Sequence, residues 1–202
     1  MRVGVFGGSF DPIHRGHVEP VEAARRGLGL DRVLYVPTAR PPHKPERWLA
    51  PPLARFAMTE LALLGRAELE VSPIELLEAR PTFTIETLER LRLERPGDEL
   101  WLIVGADSLA GLHTWRRFRD LLAGFPIAVL ARPGFERAAL AATLAPELAA
   151  ELERARVEWV ENPPLPISAS EIRARLARGE EPPAGWLDPL VLTFLRKYRL
   201  YR

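Results

Sequence analysis

Gly7, Gly8 and Ser9 are followed closely by His14, Gly16 and His17, a grouping suited to holding phosphate. Glycines let the backbone approach a ligand, and consecutive N–H groups can cradle phosphate oxygens. Three residues apart at the expected start of a helix, the two imidazoles share one face. They also lie beside the positive end of the helix dipole. A polyphosphate docked there would favour their protonated forms as donors to its oxygens. Zinc is the rival chemistry, but two histidines with no evident third ligand make a poor metal site. Gly7, Gly8 and Ser9 are read as a tight turn off the first strand, and a plain strand-to-helix turn with no ligand is the bland alternative. The spacing is neither GxGxxG nor GxxxxGK[ST], which disfavours a dinucleotide-redox turn and a P-loop.

A second anion-binding start is written further on. Ser168 and Glu171 form an S-x-x-E capping box with Ile167 and Ile172 as its hydrophobic staple. Ser168 is therefore read as structural. Ser170 and Arg173 then add a hydroxyl and a guanidinium fork beside free helix N–H groups. Asp107, in Gly105-Ala106-Asp107, is placed to accept ribose hydroxyls or to cap a helix. His43 and Lys44 end a proline-stiffened loop inside Pro37–Pro52, a stretch read as a substrate flap. Lys44 is one of two lysines in a chain that otherwise uses arginine, and a compact ammonium suits a migrating phosphate charge. Arg132 could take a mononucleotide phosphate. Trp115, unlike Trp101, lies outside any apolar strand, so its face is available for a flat ring. The segment Thr82–Thr84 is expected to begin a helix whose amides could receive a carboxylate.

These residues need a scaffold, and the apolar pattern supplies one. Strand-length runs are read at Val3–Phe6, Arg32–Pro37, Glu68–Ser72, Leu100–Val104, Ile127–Ala131 and Val157–Val160. Helical patterns fall near His17–Gly27, Leu53–Leu64, Ile85–Glu94, Phe118–Ala123, Pro146–Ala155, Ala169–Arg178 and Pro189–Lys197. Continuous apolar strands alternating with helices predict an α/β fold, a doubly wound and mostly parallel sheet in a single domain, 1–202. The polar motifs follow the strands, at the carboxyl ends where such sheets bind ligands. Five motifs at five such ends are expected to converge on one crevice.

Composition narrows the class. The chain has 202 residues, 47% of them hydrophobic, enough for a proper core. A net charge of +1 argues against nucleic acid as a partner. Without cysteine there is no disulfide, thiolate metal site or cysteine nucleophile. No stretch approaches the ~20 apolar residues of a spanning helix. The reading is a cytoplasmic globular protein that does not act on a membrane. Absent glutamine, a single asparagine and 20 prolines suit heat stability, although the scarcity of lysine does not.

The motifs carry a resemblance. GGSFDPIHRGH is similar to the HxGH signature of the nucleotidyltransferase superfamily. PPHK, TFTIETL, GADSLAGLHTW, ARPG and ISASEIRARL resemble, in that order, the bacterial nicotinate-nucleotide adenylyltransferases, from Val3 onward. One departure is Ala169, where the family usually has a second serine. The resemblance implies a Rossmann-like nucleotidyltransferase fold with a helical portion, 168–202, carrying ISxSxIR. It implies adenylyl transfer from ATP to nicotinate mononucleotide, giving deamido-NAD and pyrophosphate, with Mg²⁺ on the triphosphate. By the same resemblance His14, His17, Lys44 and Arg173 are catalytic. ATP would meet these histidines and Arg173 together with Gly7, Gly8, Ser9, Phe10, Gly105, Asp107, Ile167 and Ser170. Nicotinate mononucleotide would meet His43, Lys44, Thr84, Trp115, Arg116 and Arg132. No protein-bound metal is expected. The alternatives are transfer to nicotinamide mononucleotide or pantetheine phosphate, and a nucleotide sensor without turnover. An NAD(P)-dependent oxidoreductase lacks its glycine turn here.

Overall fold

A computed structural model describes residues 1–40, 49–78, 80–132, 134–135, 137–161 and 165–202. Among them six strands form one parallel sheet: β1 (Arg2–Gly8), β2 (Arg32–Pro37), β3 (Leu69–Val71), β4 (Glu99–Gly105), β5 (Ile127–Leu130) and β6 (Val157–Val160). Their order is β3-β2-β1-β4-β5-β6, the arrangement of a doubly wound nucleotide-binding sheet. All four residues of β5 are buried, as are the five interior residues of β4, which is why both read as unbroken apolar runs.

Between the strands run α1 (Arg15–Gly27), α2 (Pro52–Leu63), α3 (Thr84–Glu94), α4 (Ala106–Ala110), α5 (Phe118–Gly124), α6 (Arg137–Ala141) and α7 (Pro146–Leu152). After β6 come α8 (Ala169–Ala177) and α9 (Pro189–Tyr198). Proline opens α2, α7 and α9, where its missing N–H has no helical partner to lose. No helix is long and apolar enough to cross a membrane among the described residues.

By internal contacts the chain divides into two compact units. Met1–Gly7, Pro20–Leu34 and Phe83–Pro164 make the first; Gly8–Glu19, Tyr35–Thr82 and Leu165–Arg202 make the second. In the first, β4 lies in parallel register with β1 and β5, and β5 with β6. Its fully buried Trp101 lies under the guanidinium groups of Arg2 and Arg156, 5.0 and 4.4 Å from the ring. In the second, α2 presents residues 55, 58, 59, 62 and 63 to the interior, a helical stripe that includes an arginine.

One of these expectations needs correction. Gly7 and Gly8 do not form a turn; β1 continues through both, and Gly8 accepts a backbone bond from Thr38 at 2.9 Å. The chain turns later, at Asp11 and Pro12, after Phe10 has entered the left-handed region with φ 45°. The helix of TFTIETL starts at Thr84, within the expected segment, with Phe83 as its cap.

Candidate active site

The loop after β1 is shaped by Phe10. Its ring is buried, edge-on to His17 at 5.4 Å and 5.7 Å from Tyr35. A Cβ on Gly8 would stand 2.8 Å from that ring, so glycine is required there by close approach. Phe10 is 1% exposed as a whole residue, so neither its ring nor its backbone is open to a ligand, against the expectation that it meets ATP. A Cβ on Gly7 would meet nothing within 4 Å, so the chain lies open to solvent at that residue.

His14 and His17 do come together, with ring centroids 3.8 Å apart and planes inclined by 34°. His14 is buried and His17 half-buried. The His14 carbonyl accepts from the His17 and Val18 amides, which sets the first turn of α1. Nδ1 of His17 accepts the His14 backbone N–H at 3.3 Å. In that contact the Nδ1 atom is the acceptor. Gly16 completes the packing: a Cβ there would press on the His14 ring at 3.0 Å and meet Ile167 at 3.5 Å.

Below the histidines lies a polar cluster that the motif reading passed over. Asp11 is 1% exposed, and its Oδ1 accepts the Ala50 N–H at 2.9 Å and the Tyr201 hydroxyl. Arg55, also 1% exposed, donates to four carbonyls: Ser9 at 2.6 Å, Thr38 at 2.7 Å, Ala39 at 3.1 Å and Ala50 at 3.0 Å. A buried cation answered wholly by carbonyls ties the β1 loop to both ends of the segment holding residues 41–48. Burial pulls the Arg55 guanidinium below its usual pKa, with Asp11 opposing. Burial and then the Asp11 charge push the Tyr201 phenol above its own.

Helix α8 adds the next donors. Ser168 caps it by accepting the Glu171 N–H at 3.1 Å. The return half of the box is replaced by an ion pair, Glu171 lying 2.8 Å from Arg175. Arg173 donates to the Asp11 carbonyl at 2.7 Å and to the Ser170 hydroxyl at 3.2 Å. Ser170 is exposed, and Ile167 and Arg173 are half-buried. The second unit thus gathers Gly8, Ser9, His14, His17, Ile167, Ser170 and Arg173 with the unforeseen Asp11, Arg55 and Tyr201.

Gly7, Thr84, Gly105, Asp107, Trp115, Arg116 and Arg132 belong to the first unit. Gly105 caps α4, and a Cβ on it would meet the Asp107 carboxylate at 2.5 Å. Asp107 lies in the first turn of α4 and pairs with Arg132 at 2.5 Å, so two expected ligand residues hold one another. Trp115 ends the 3-10 turn Leu112–Thr114 and is half-buried. The Arg116 guanidinium covers the Phe83 ring at 4.8 Å. At the start of α3, Phe83 N–H already donates to the Glu86 carboxylate at 3.4 Å. That carboxylate competes with any substrate carboxylate expected near Thr84. His43 and Lys44 lie outside the described residues.

Relatives complete the picture. A profile of the cytidylyltransferase-like family matches residues 5–175, which fits the strand order and sets the class. A protein of Chromobacterium violaceum is 41% identical over 215 aligned positions, covering 100% of this chain and 99% of that one. One of Thermus thermophilus is 39% identical over 204, covering all of both. Both are described as probable nicotinate-nucleotide adenylyltransferases. The chain belongs to the cytidylyltransferase-like family and, within it, to the nicotinate-nucleotide adenylyltransferases. In fold it is similar to the nicotinic acid mononucleotide adenylyltransferase of Plasmodium falciparum complexed with NaAD, with a TM-score of 0.78 at 18% identity. That likeness covers 99% of this chain and 97% of the other.

Proposed function

We propose that this chain, acting as one nucleotidyltransferase domain in the cytoplasm, transfers AMP from MgATP to nicotinate mononucleotide. Deamido-NAD and pyrophosphate are the products. A phosphate oxygen of the mononucleotide attacks the α-phosphorus in line. The bond from that phosphorus to the bridging oxygen breaks, and its electron pair leaves with pyrophosphate. The attacking oxygen is already an anion, so no base has to remove a proton. Catalysis then consists of positioning and charge stabilisation.

One observation carries this reading: His14 and His17 stacked at 3.8 Å in the chain segment whose Asp11 carbonyl anchors Arg173. These donors, with Ser170 and the Gly7–Ser9 backbone, hold the triphosphate and receive charge on the departing pyrophosphate. Asp107 and Gly105 take the adenosine, and Ile167 lines its place. His43, Lys44, Thr84, Trp115, Arg116 and Arg132 serve the mononucleotide. Among the described residues no group of three or more His, Asp or Glu side chains could hold a metal. Magnesium enters on the triphosphate oxygens as part of the substrate.

The test is pyrophosphate release with MgATP and, in turn, nicotinate mononucleotide, nicotinamide mononucleotide and phosphopantetheine. The first should be used at least about tenfold more efficiently than the second, the cost of one mismatched buried polar contact. Equal efficiency with acid and amide refutes the substrate assignment. ATP binding without pyrophosphate release from any acceptor refutes the enzyme.

A further inference from the structure

Tyr201 stands three residues beyond α9, outside every motif, and its phenol donates to the buried Asp11 carboxylate. It adopts φ 65°, and Arg199, the cap of α9, φ 52°. L-residues seldom occupy this region, and they persist there only when surrounding contacts over-determine them. Asp11 is where those contacts meet. Its carboxylate accepts from Ala50 and Tyr201, and lies 3.7 Å from Arg173. Its own carbonyl accepts from the same nitrogen of Arg173 at 2.7 Å. Arg173, 30% exposed, is thus held at its inner end by a residue that Tyr201 restrains.

We infer that Tyr201 is a positioning residue of the ATP-phosphate site, its hydroxyl fixing Asp11 and through it the guanidinium of Arg173. This rests on the reading of Arg173 as a phosphate ligand. Phenylalanine at 201 would fill the same space without the donor, so a packing role alone predicts a silent change. A positioning role predicts a loss on phosphate.

The experiment is calorimetric binding of pyrophosphate to the intact protein, with steady-state kinetics on both substrates. Tyr201→Phe should weaken pyrophosphate binding and raise KM for ATP about tenfold, the scale of one hydrogen bond to a charged group. KM for nicotinate mononucleotide should stay within about twofold of wild type. Tyr198→Phe, at a tyrosine 55% exposed on α9, should change neither. In an Arg173→Ala background, Tyr201→Phe should add little, because coupled residues are not additive. Wild-type pyrophosphate affinity in Tyr201→Phe overturns the inference, as do fully additive losses in the double variant. If wild type itself binds neither pyrophosphate nor ATP, the reading of the site fails first, and the inference with it.

Discussion

The two sets of polar side chains are built differently. In residues 8–19, 35–82 and 165–202, Asp11 and Arg55 are nearly inaccessible and answer several partners each. After β4 and β5 the candidate ligand groups are more open: the exposed Arg132 pairs with the half-buried Asp107, and the exposed Arg116 covers Phe83. Buried charges are expensive to leave unpaired, so the first set fixes backbone and can be varied little. Exposed pairs contribute little to stability and can exchange partners when a charged ligand arrives. On the proposed function, the difference separates a buried loop assigned to phosphate from surface groups assigned to exchange partners for substrate.

Removing a buried member should show the largest effect. Arg55→Met leaves four carbonyls without their donor and removes one of the cations that interact with the Asp11 charge. Stability in urea should fall by about 3–5 kcal/mol, which corresponds to a Tm lower by roughly ten degrees in a chain of this size. A fall of less than about 1 kcal/mol, the scale of a surface ion pair, would break the comparison at its stronger side.

Arg132→Ala should do the reverse. With Arg132 53% and Asp107 35% exposed, their ion pair is screened, and its loss should cost less than about 1 kcal/mol. KM for nicotinate mononucleotide should nevertheless rise about tenfold, because a phosphate partner has gone. A large stability loss with unchanged KM would make the pair structural and erase the contrast.

How much of this was legible depends on what each residue announces. β2 and β6 have the bounds read from the sequence, because apolar runs end there on charged residues or proline. α4 and α6, five residues each, are too short to display a helical period. Gly7 and Gly8 looked like a turn because glycine permits one; what glycine serves at 8 is room for the Phe10 ring, a contact no local pattern reveals. The histidine pair was readable from spacing alone, since a helix brings i and i+3 together. Arg55 left a signal that was not taken up: it occupies an inward position on the stripe 55, 58, 59, 62 and 63, where an arginine must find buried acceptors. Asp11 sat inside the recognised motif, but its role depends on Ala50 and on Tyr201, 190 residues away along the chain. Long-range pairs of this kind are set by the folded topology.

The central claim is that two imidazoles at the start of α1 stabilise phosphate charge. His17→Ala tests it most directly, with turnover measured alongside circular dichroism and melting. The account predicts a kcat lower by about a hundredfold or more, on the scale of losing one charge-stabilising donor. Secondary structure should be unchanged, and the melting temperature shifted by no more than a few degrees. Near-normal turnover in the folded variant would contradict it.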